Sequence, residues 1–324
     1  MKKIAIFWEK RFENNNFYNT QIDLNLSPFA ALVDINGKEN TLSLDKINWR
    51  KDKEEFVIVC IKQLWLFSLY DYIRLFVKYR HNKKYYMILE PFVVAPLWYN
   101  RLFHLFFDKI LTWKDSLIGW KYVKYIRPQS THWMMTKAKR FEDKKLLTLI
   151  NWNKSSFWKN ELYSEREKAI RYYEKNAIEF DLYGRWWDSK NNLRQKLFWY
   201  KTYPSYRWEV DDKIETLSKY KFNICFENMK NTPWYMTEKI WDSLKARSIP
   251  IYRWASNITD YVPKSCFIDF RDFNWNYDHL IHFLQNITAS EYNGMIQNIE
   301  EFLESKNVQK RFDKDRASNF LDSI

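Results

Sequence analysis

Glycine is scarce in this chain, with only Gly37, Gly119, Gly184 and Gly294 among 324 residues. No two share a loop, which excludes a P-loop and a G-x-G-x-x-G turn, because each cradles phosphate with several glycines in one short stretch. Cysteine is equally sparse. Cys60, Cys225 and Cys266 are odd in number and far apart, so a disulfide framework is not expected and the chemistry points to a reducing compartment. Long apolar runs are also missing. The most lipid-like span, 56–77, is interrupted by Lys62, Asp71 and Arg74, short of the roughly 18 uninterrupted apolar residues that a spanning helix needs. The opening MKKIAIFWEK meets Glu9 too soon for the apolar core of a secretory leader. A cytoplasmic location is therefore expected, and the sequons at Asn153, Asn257 and Asn286 read as incidental.

Charge is plentiful and unbalanced: 53 Lys and Arg stand against 40 Asp and Glu, a net +13. Such an excess favours an anionic partner, whether a nucleotide-sugar, a nucleic acid or an acidic membrane surface touched from the cytoplasmic side. Aromatics are abundant too, with 17 Trp, 22 Tyr and 24 Phe, enough for a core and for the flat stacking surfaces of a sugar cleft. A basic, aromatic-rich chain also fits a non-enzymatic nucleic-acid or carbohydrate binder. Against nucleic acid, the basic residues are dispersed among acids and no recognised motif occurs. Metal patterns are thin. Asp313-Lys314-Asp315 is a literal D-x-D, but no apolar strand precedes it, and His279 with His282 lacks a third ligand nearby. No metal cofactor is expected.

Along the chain, short apolar runs alternate with helical stretches, the pattern of an α/β protein. KIAIFWE, EEFVIVCIK, KYYMILEPF and FDKILTW read as strands of a first half, and 64–79 as a helix between them. A polar, basic run over 131–143 then precedes the strand KKLLTLINW. Two domains are expected, 1–140 and 141–324, the second closing with helices that include the charged tail from Glu300. Trp98, Tyr99 and Trp113 suit either an acceptor groove or the core.

The most informative segment is FNICFENMKNTPWYMTEK, from Phe222 to Lys239. Phe222, Ile224 and Phe226 alternate as on a strand face, and Thr237 offers an oxygen to cap a helix carrying Ile240, Trp241 and Leu244. With IPIY following, the unit reads as βαβ, whose helix N-terminus attracts anions. Glu238 supplies a hydrogen-bond acceptor there and Lys239 a phosphate partner. Without a glycine cradle, a nucleotide diphosphate needs such cations. Arg166, near the start of the helix after LLTLINW, is the natural second one. Glu90, directly after YYMIL and before Pro91, is the best candidate for a general base.

The FEN step, then Tyr235 to Lys239, then IPIY and the Pro263-Lys264-Ser265 step, resemble the α-1,3-fucosyltransferases, inverting glycosyltransferase family 10. The resemblance implies two Rossmann-like domains facing a cleft, the GT-B architecture, with an N-terminal acceptor domain and a C-terminal donor domain. It implies metal-independent transfer of L-fucose from GDP-L-fucose, or of another GDP-linked deoxyhexose, to an oligosaccharide or lipid-linked glycan in surface glycan or lipopolysaccharide synthesis. Glu90 would be the catalytic base. Arg166 and Lys239 would hold the pyrophosphate, Asn228 and Tyr235 would lie near phosphate and sugar, and Glu238 would bond the ribose or the sugar. Two departures stand out: LEPF replaces the family's Gly-Glu-Asn form, and MKNTPW replaces a shorter, glycine-containing loop beside the transferred sugar.

Overall fold

The structure, a computed structural model, describes residues 2–19, 27–47, 56–114, 117, 119–125, 135–188, 202–233, 235–305, 308 and 320–322. The chain divides into two compact units, Met1–His132 with Lys306–Ile324, and Trp133–Ser305. Both chain ends thus belong to the first unit, and the reason lies in its core. Phe320 is buried with Ile4, Phe29 and Leu32, Leu321 packs beside it, and the Leu321 carbonyl accepts from Lys2 Nζ at 2.9 Å. Asp313 and Asp315 lie outside the described residues.

The first unit carries an all-parallel sheet in the order β2-β1-β3-β4-β5-β6, built from β1 (Ile4–Phe7), β2 (Thr41–Ser43), β3 (Val57–Cys60), β4 (Lys84–Ile88), β5 (Lys109–Thr112) and β6 (Tyr122–Lys124). Strand side chains alternate between the two faces, and both faces are covered. Ile4, Ile6, Val59, Met87 and Leu111 pack with α1 (Ser27–Asn36). Ala5, Ile58, Cys60, Tyr86, Ile88 and Ile110 pack on the opposite side with α2 (Leu69–Lys78) and α3 (Arg101–His104). Of the helix expected over 64–79, only Leu69–Lys78 is α-helical, after a 3₁₀ turn at Leu66–Ser68. Sequence reading overlooked α1, β2 and β6. Each strand is three residues long, too short to show a period.

The second unit has a parallel sheet in the order β11-β10-β9-β7-β8. Its strands are β7 (Lys145–Ile150), β8 (Phe180–Tyr183), β9 (Tyr220–Phe226), β10 (Ile249–Arg253) and β11 (Ile268–Asp269). Its helices are α4 (Tyr163–Lys175), α5 (Lys213–Leu217), α6 (Glu238–Lys245), α7 (Tyr277–Asn286) and α8 (Ala289–Glu304). The unit β9-α6-β10 is the βαβ expected from the sequence, with Ile249 opposite Phe222 and Arg253 opposite Phe226. One detail differs. Phe222 to Phe226 are buried without interruption rather than on alternate positions, because a central strand of a parallel sheet is covered on both sides.

Candidate active site

In chain order the second sheet runs out from β7 to β8, then returns to add β9, β10 and β11 on the other side of β7. Open parallel sheets bind ligands outside the carboxyl ends of the strands at such a reversal. Here those ends are Ile150, Phe226 and Arg253, and charged groups stand at or after them.

Directly after β9 stands Glu227, with 0% of its surface exposed. A carboxylate persists there only with donors around it, and four are present. Oε1 accepts from the Thr237 amide at 2.9 Å and faces the Tyr252 hydroxyl at 3.4 Å. Oε2 accepts from the Thr237 hydroxyl at 2.8 Å and lies 3.4 Å from Lys239 Nζ. Thr237 in turn caps α6, its oxygen accepting from the Lys239 amide at 3.5 Å and from Lys239 Nζ at 2.9 Å. One buried acid thereby fixes the first turn of α6 and the lysine on it. Glu238 heads the same helix, half-buried.

Arg166 lies in the first turn of α4 and is 2% exposed. One of its terminal nitrogens reaches the carbonyls of Phe226 and Glu227 and Oδ1 of Asn228, at 2.7, 2.8 and 2.8 Å. That nitrogen carries two protons for three acceptors, so one bond is shared. Asn228 passes the connection on, donating from Nδ2 to the Tyr235 hydroxyl at 3.0 Å. Burial holds the Arg166 guanidinium below the usual arginine range, against the pull of Tyr163 and Glu227. Its Nε has no hydrogen-bond partner. The same is true of Nε on Arg253, which ends β10 at 8% exposure. Arg253 is held by Glu165 Oε2 at 2.9 Å and lies 4.4 Å from the Trp275 ring. Burial opposes the charge on Glu165, yet Lys168 and Arg253 bring that carboxyl below its ordinary value.

Arg166, Asn228, Tyr235 and Lys239 therefore share one cluster with Glu227, and Glu238 adjoins it on α6. Glu90 belongs to the first unit, two residues past the end of β4 and half-buried, its carbonyl accepting from the Tyr99 hydroxyl at 2.9 Å. Trp98 and Trp113 are core residues, 2% and 3% exposed. Sequence reasoning named Glu227 only as part of the FEN step, without a role, and missed Glu165 and Arg253. A signal existed for two of them: a charge placed directly at the end of an apolar strand, in FNICFE and IPIYR, has to be paired or bound to something. The MKNTPW departure is tied down at 229–233. Lys230 donates to the Asn160 carbonyl at 2.8 Å, and Trp254 Nε1 donates to Asn231 Oδ1 at 2.9 Å. Trp234 lies outside the described residues. Among the described residues, no group of three or more His, Cys, Asp or Glu stands together as metal ligands. His279 and His282 are both exposed on α7.

Two parallel α/β units, the second with a cluster of charged residues at its strand-order reversal, are the fold of the GT-B glycosyltransferases. The crystal structure of the DNA-modifying enzyme β-glucosyltransferase is similar over 99% of both chains, with a TM-score of 0.62 and 12% identity. That of α1,3-fucosyltransferase with GDP-fucose is similar over 99% of this chain and 89% of its own, with a TM-score of 0.53 and 14% identity. Residues 142–299 match the C-terminal domain of glycosyltransferase family 10 (fucosyltransferase). The α-(1,3)-fucosyltransferase FucT of Helicobacter pylori is 42% identical over 79 residues, 24% of this chain and 16% of that protein. The chain thus matches less than a fifth of that relative's length.

Proposed function

We propose that the protein is an inverting, metal-independent fucosyltransferase that takes L-fucose from GDP-L-fucose, or a closely related GDP-linked deoxyhexose. One observation carries this reading. Two buried guanidinium groups, Arg166 and Arg253, each keep an Nε–H without an acceptor beside the capped N-terminus of an eight-residue helix. A buried donor left unpaired costs about 1–3 kcal/mol, and the two guanidinium groups concentrate positive charge where a diphosphate would be drawn. Lys239 supports the same ligand. Its ammonium has three protons and two acceptors within the protein, one of them at 3.4 Å, so a phosphate oxygen can take the third.

In the proposed reaction Glu90 accepts the proton of an acceptor hydroxyl as its oxygen forms a bond to the anomeric carbon. The bond from that carbon to the phosphate oxygen breaks on the opposite face, and the electron pair leaves with GDP. Charge then grows on the pyrophosphate, where Lys239, the guanidinium groups and the α6 amides stabilise it more strongly than in the ground state. Those cations supply what a divalent metal provides in other transferases. The acceptor is proposed to be an oligosaccharide or lipid-linked glycan presented at the cytoplasmic face of a membrane.

A donor panel tests this. Purified protein is incubated with GDP-fucose, other GDP-deoxyhexoses and UDP-sugars, with N-acetyllactosamine-type and bacterial surface glycans as acceptors and mass-spectrometric readout. A gain of one deoxyhexose, from a GDP donor and in the presence of EDTA, is expected. Transfer only from UDP-sugars, or full loss in EDTA, overturns the reading.

A further inference from the structure

A short helix that covers a sheet needs one apolar stripe, yet α2 has two. Tyr72, Leu75 and Tyr79 face the core and are buried. Leu69, Ile73 and Val77, at i, i+4 and i+8, form a second stripe that is exposed, Val77 to 67%. Just before the helix, Phe67 is 95% exposed. The stripe does not stand alone. Phe76, at its edge, stacks on Phe106 with ring centroids 5.2 Å apart, and Phe106 follows α3 beside Leu102 and Leu105, all exposed, Leu105 to 70%. Lys121 Nζ reaches the Leu105 carbonyl at 3.5 Å, and the residue before it, Trp120, is 92% exposed. Scattered apolar residues on a surface are ordinary. A continuous set with a nearly naked Phe and Trp marks an interaction surface.

The charge around this face identifies its partner. Over the segment that carries this face, Lys62 to Lys124, the sequence has eleven Lys and Arg, of which Lys84 is buried in the sheet, against four acids, Asp71, Glu90, Asp108 and Asp115. Arg74 and Lys78 flank the stripe on α2, and Arg101 opens α3, all three exposed. Asp71 is neutralised by Lys62 at 2.6 Å. Apolar side chains with Trp among them, fringed by long cationic side chains, suit the boundary between acyl chains and anionic headgroups. No helix among the described residues is long and apolar enough to cross a membrane, and the short α2 and α3 present their apolar side chains outward at the surface. We infer that the α2–α3 face of the first unit docks on a bilayer of anionic lipid, with Phe67, Val77, Leu105 and Trp120 entering the headgroup boundary. Docking there is independent of the donor chemistry.

Flotation of the full chain with vesicles tests it. Phosphatidylcholine mixed with phosphatidylglycerol should bind the protein at least about tenfold more tightly than phosphatidylcholine alone, since each basic residue near an anionic surface contributes about fivefold. High salt should weaken this binding. Val77→Ser with Leu105→Ser should reduce binding about tenfold or more, and Arg74→Glu with Arg101→Glu should abolish the preference for anionic lipid. Both pairs should keep the wild-type melting temperature and GDP binding, as expected for exposed positions. Equal binding of the wild type to both vesicle types overturns the inference without any variant. So does a wild-type dimer in sedimentation that becomes monomeric in Val77→Ser/Leu105→Ser without vesicle binding, because the face would then be a contact between copies.

Discussion

Glu227 is buried among four donors, and the consequence for stability can be worked out. Replacing it by Gln keeps the shape and the acceptor for the Thr237 amide, but sets an NH2 group against the Thr237 hydroxyl and Lys239 Nζ. Breaking a buried ion pair by removing one partner costs about 3–5 kcal/mol. The pair here is long, 3.4 Å, and Lys239 keeps Thr237 as an acceptor, so about 2–3 kcal/mol is expected. Lys239→Met leaves Glu227 with three of its donors and should cost about 1.5 kcal/mol, one charge-assisted bond. If the two groups answer each other, the double variant should cost about 2 kcal/mol less than the sum of the singles. A chain of two units need not unfold in one step, so the cycle is best read locally. Hydrogen exchange on peptides covering β9, α6 and β10 gives the opening free energy of that segment. A coupling below about 0.5 kcal/mol would refute the argument that Glu227 organises the start of α6 through Lys239.

Glu90→Gln should lower transfer by at least about a hundredfold while GDP binding, measured by calorimetry, stays at wild-type affinity; retained turnover removes Glu90 as the base. Arg166→Lys cannot bridge the Phe226 and Glu227 carbonyls and Asn228 at once, and should destabilise the second unit by about 2–3 kcal/mol, read as lost exchange protection at 226–228. Unchanged protection would mean that those bonds do not hold the loop. Gly184 has φ +121° and a Cβ there would lie 2.0 Å from the Asn151 carbonyl oxygen, so Gly184→Ala should cost about 2 kcal/mol or more, visible as a lower melting temperature. Lys144 is buried, donating to the Tyr292 hydroxyl at 2.9 Å and to the Arg247 carbonyl. Burial, with Lys139 and Arg247 nearby, lowers its ammonium from 10.5 to about 8. The unfolded chain then binds more protons than the folded one between those values, so the charged-state penalty is complete below about 8 and fades as pH rises. The stability of the wild type relative to Lys144→Met should therefore rise by about 1–2 kcal/mol from pH 8 to 9.5; a flat difference would show that its two hydrogen bonds offset the burial.

Legibility in the sequence followed the physics of each element. Where a strand was buried on both faces, as in IVC, YYMIL and FNICF, the apolar run itself marked it. Where a strand had three residues, as Thr41–Ser43 and Tyr122–Lys124, nothing periodic could appear, and only the register with Ile4 or Ile110 in the folded sheet defines it. The second unit was easier to read than the first for a related reason. Its site sits at a βαβ junction, where a cap, an acid and a lysine follow one another in sequence as Thr237, Glu238 and Lys239.

What escaped were the pairings made across sequence distance, and with them the parts played by Glu165 and Arg253. Arg166 meets the 226–228 loop from sixty residues away, and Glu165 meets Arg253 across eighty-eight. Only the strand order, which returns β9 to the side of β7, brings them together. An acid such as Glu227 looks, in one dimension, like a residue at the edge of a loop. In the folded chain it is fully buried, and its charge obliges Thr237 and Lys239 to adopt one arrangement. That obligation has a functional side. A lysine already held at a fixed point, with a proton to spare, loses little freedom when an anion arrives. The residue that the sequence marked for the ligand is thus placed by one to which it gave no role, and substitution at 227 should disturb donor binding through Lys239 without any contact of its own to the donor.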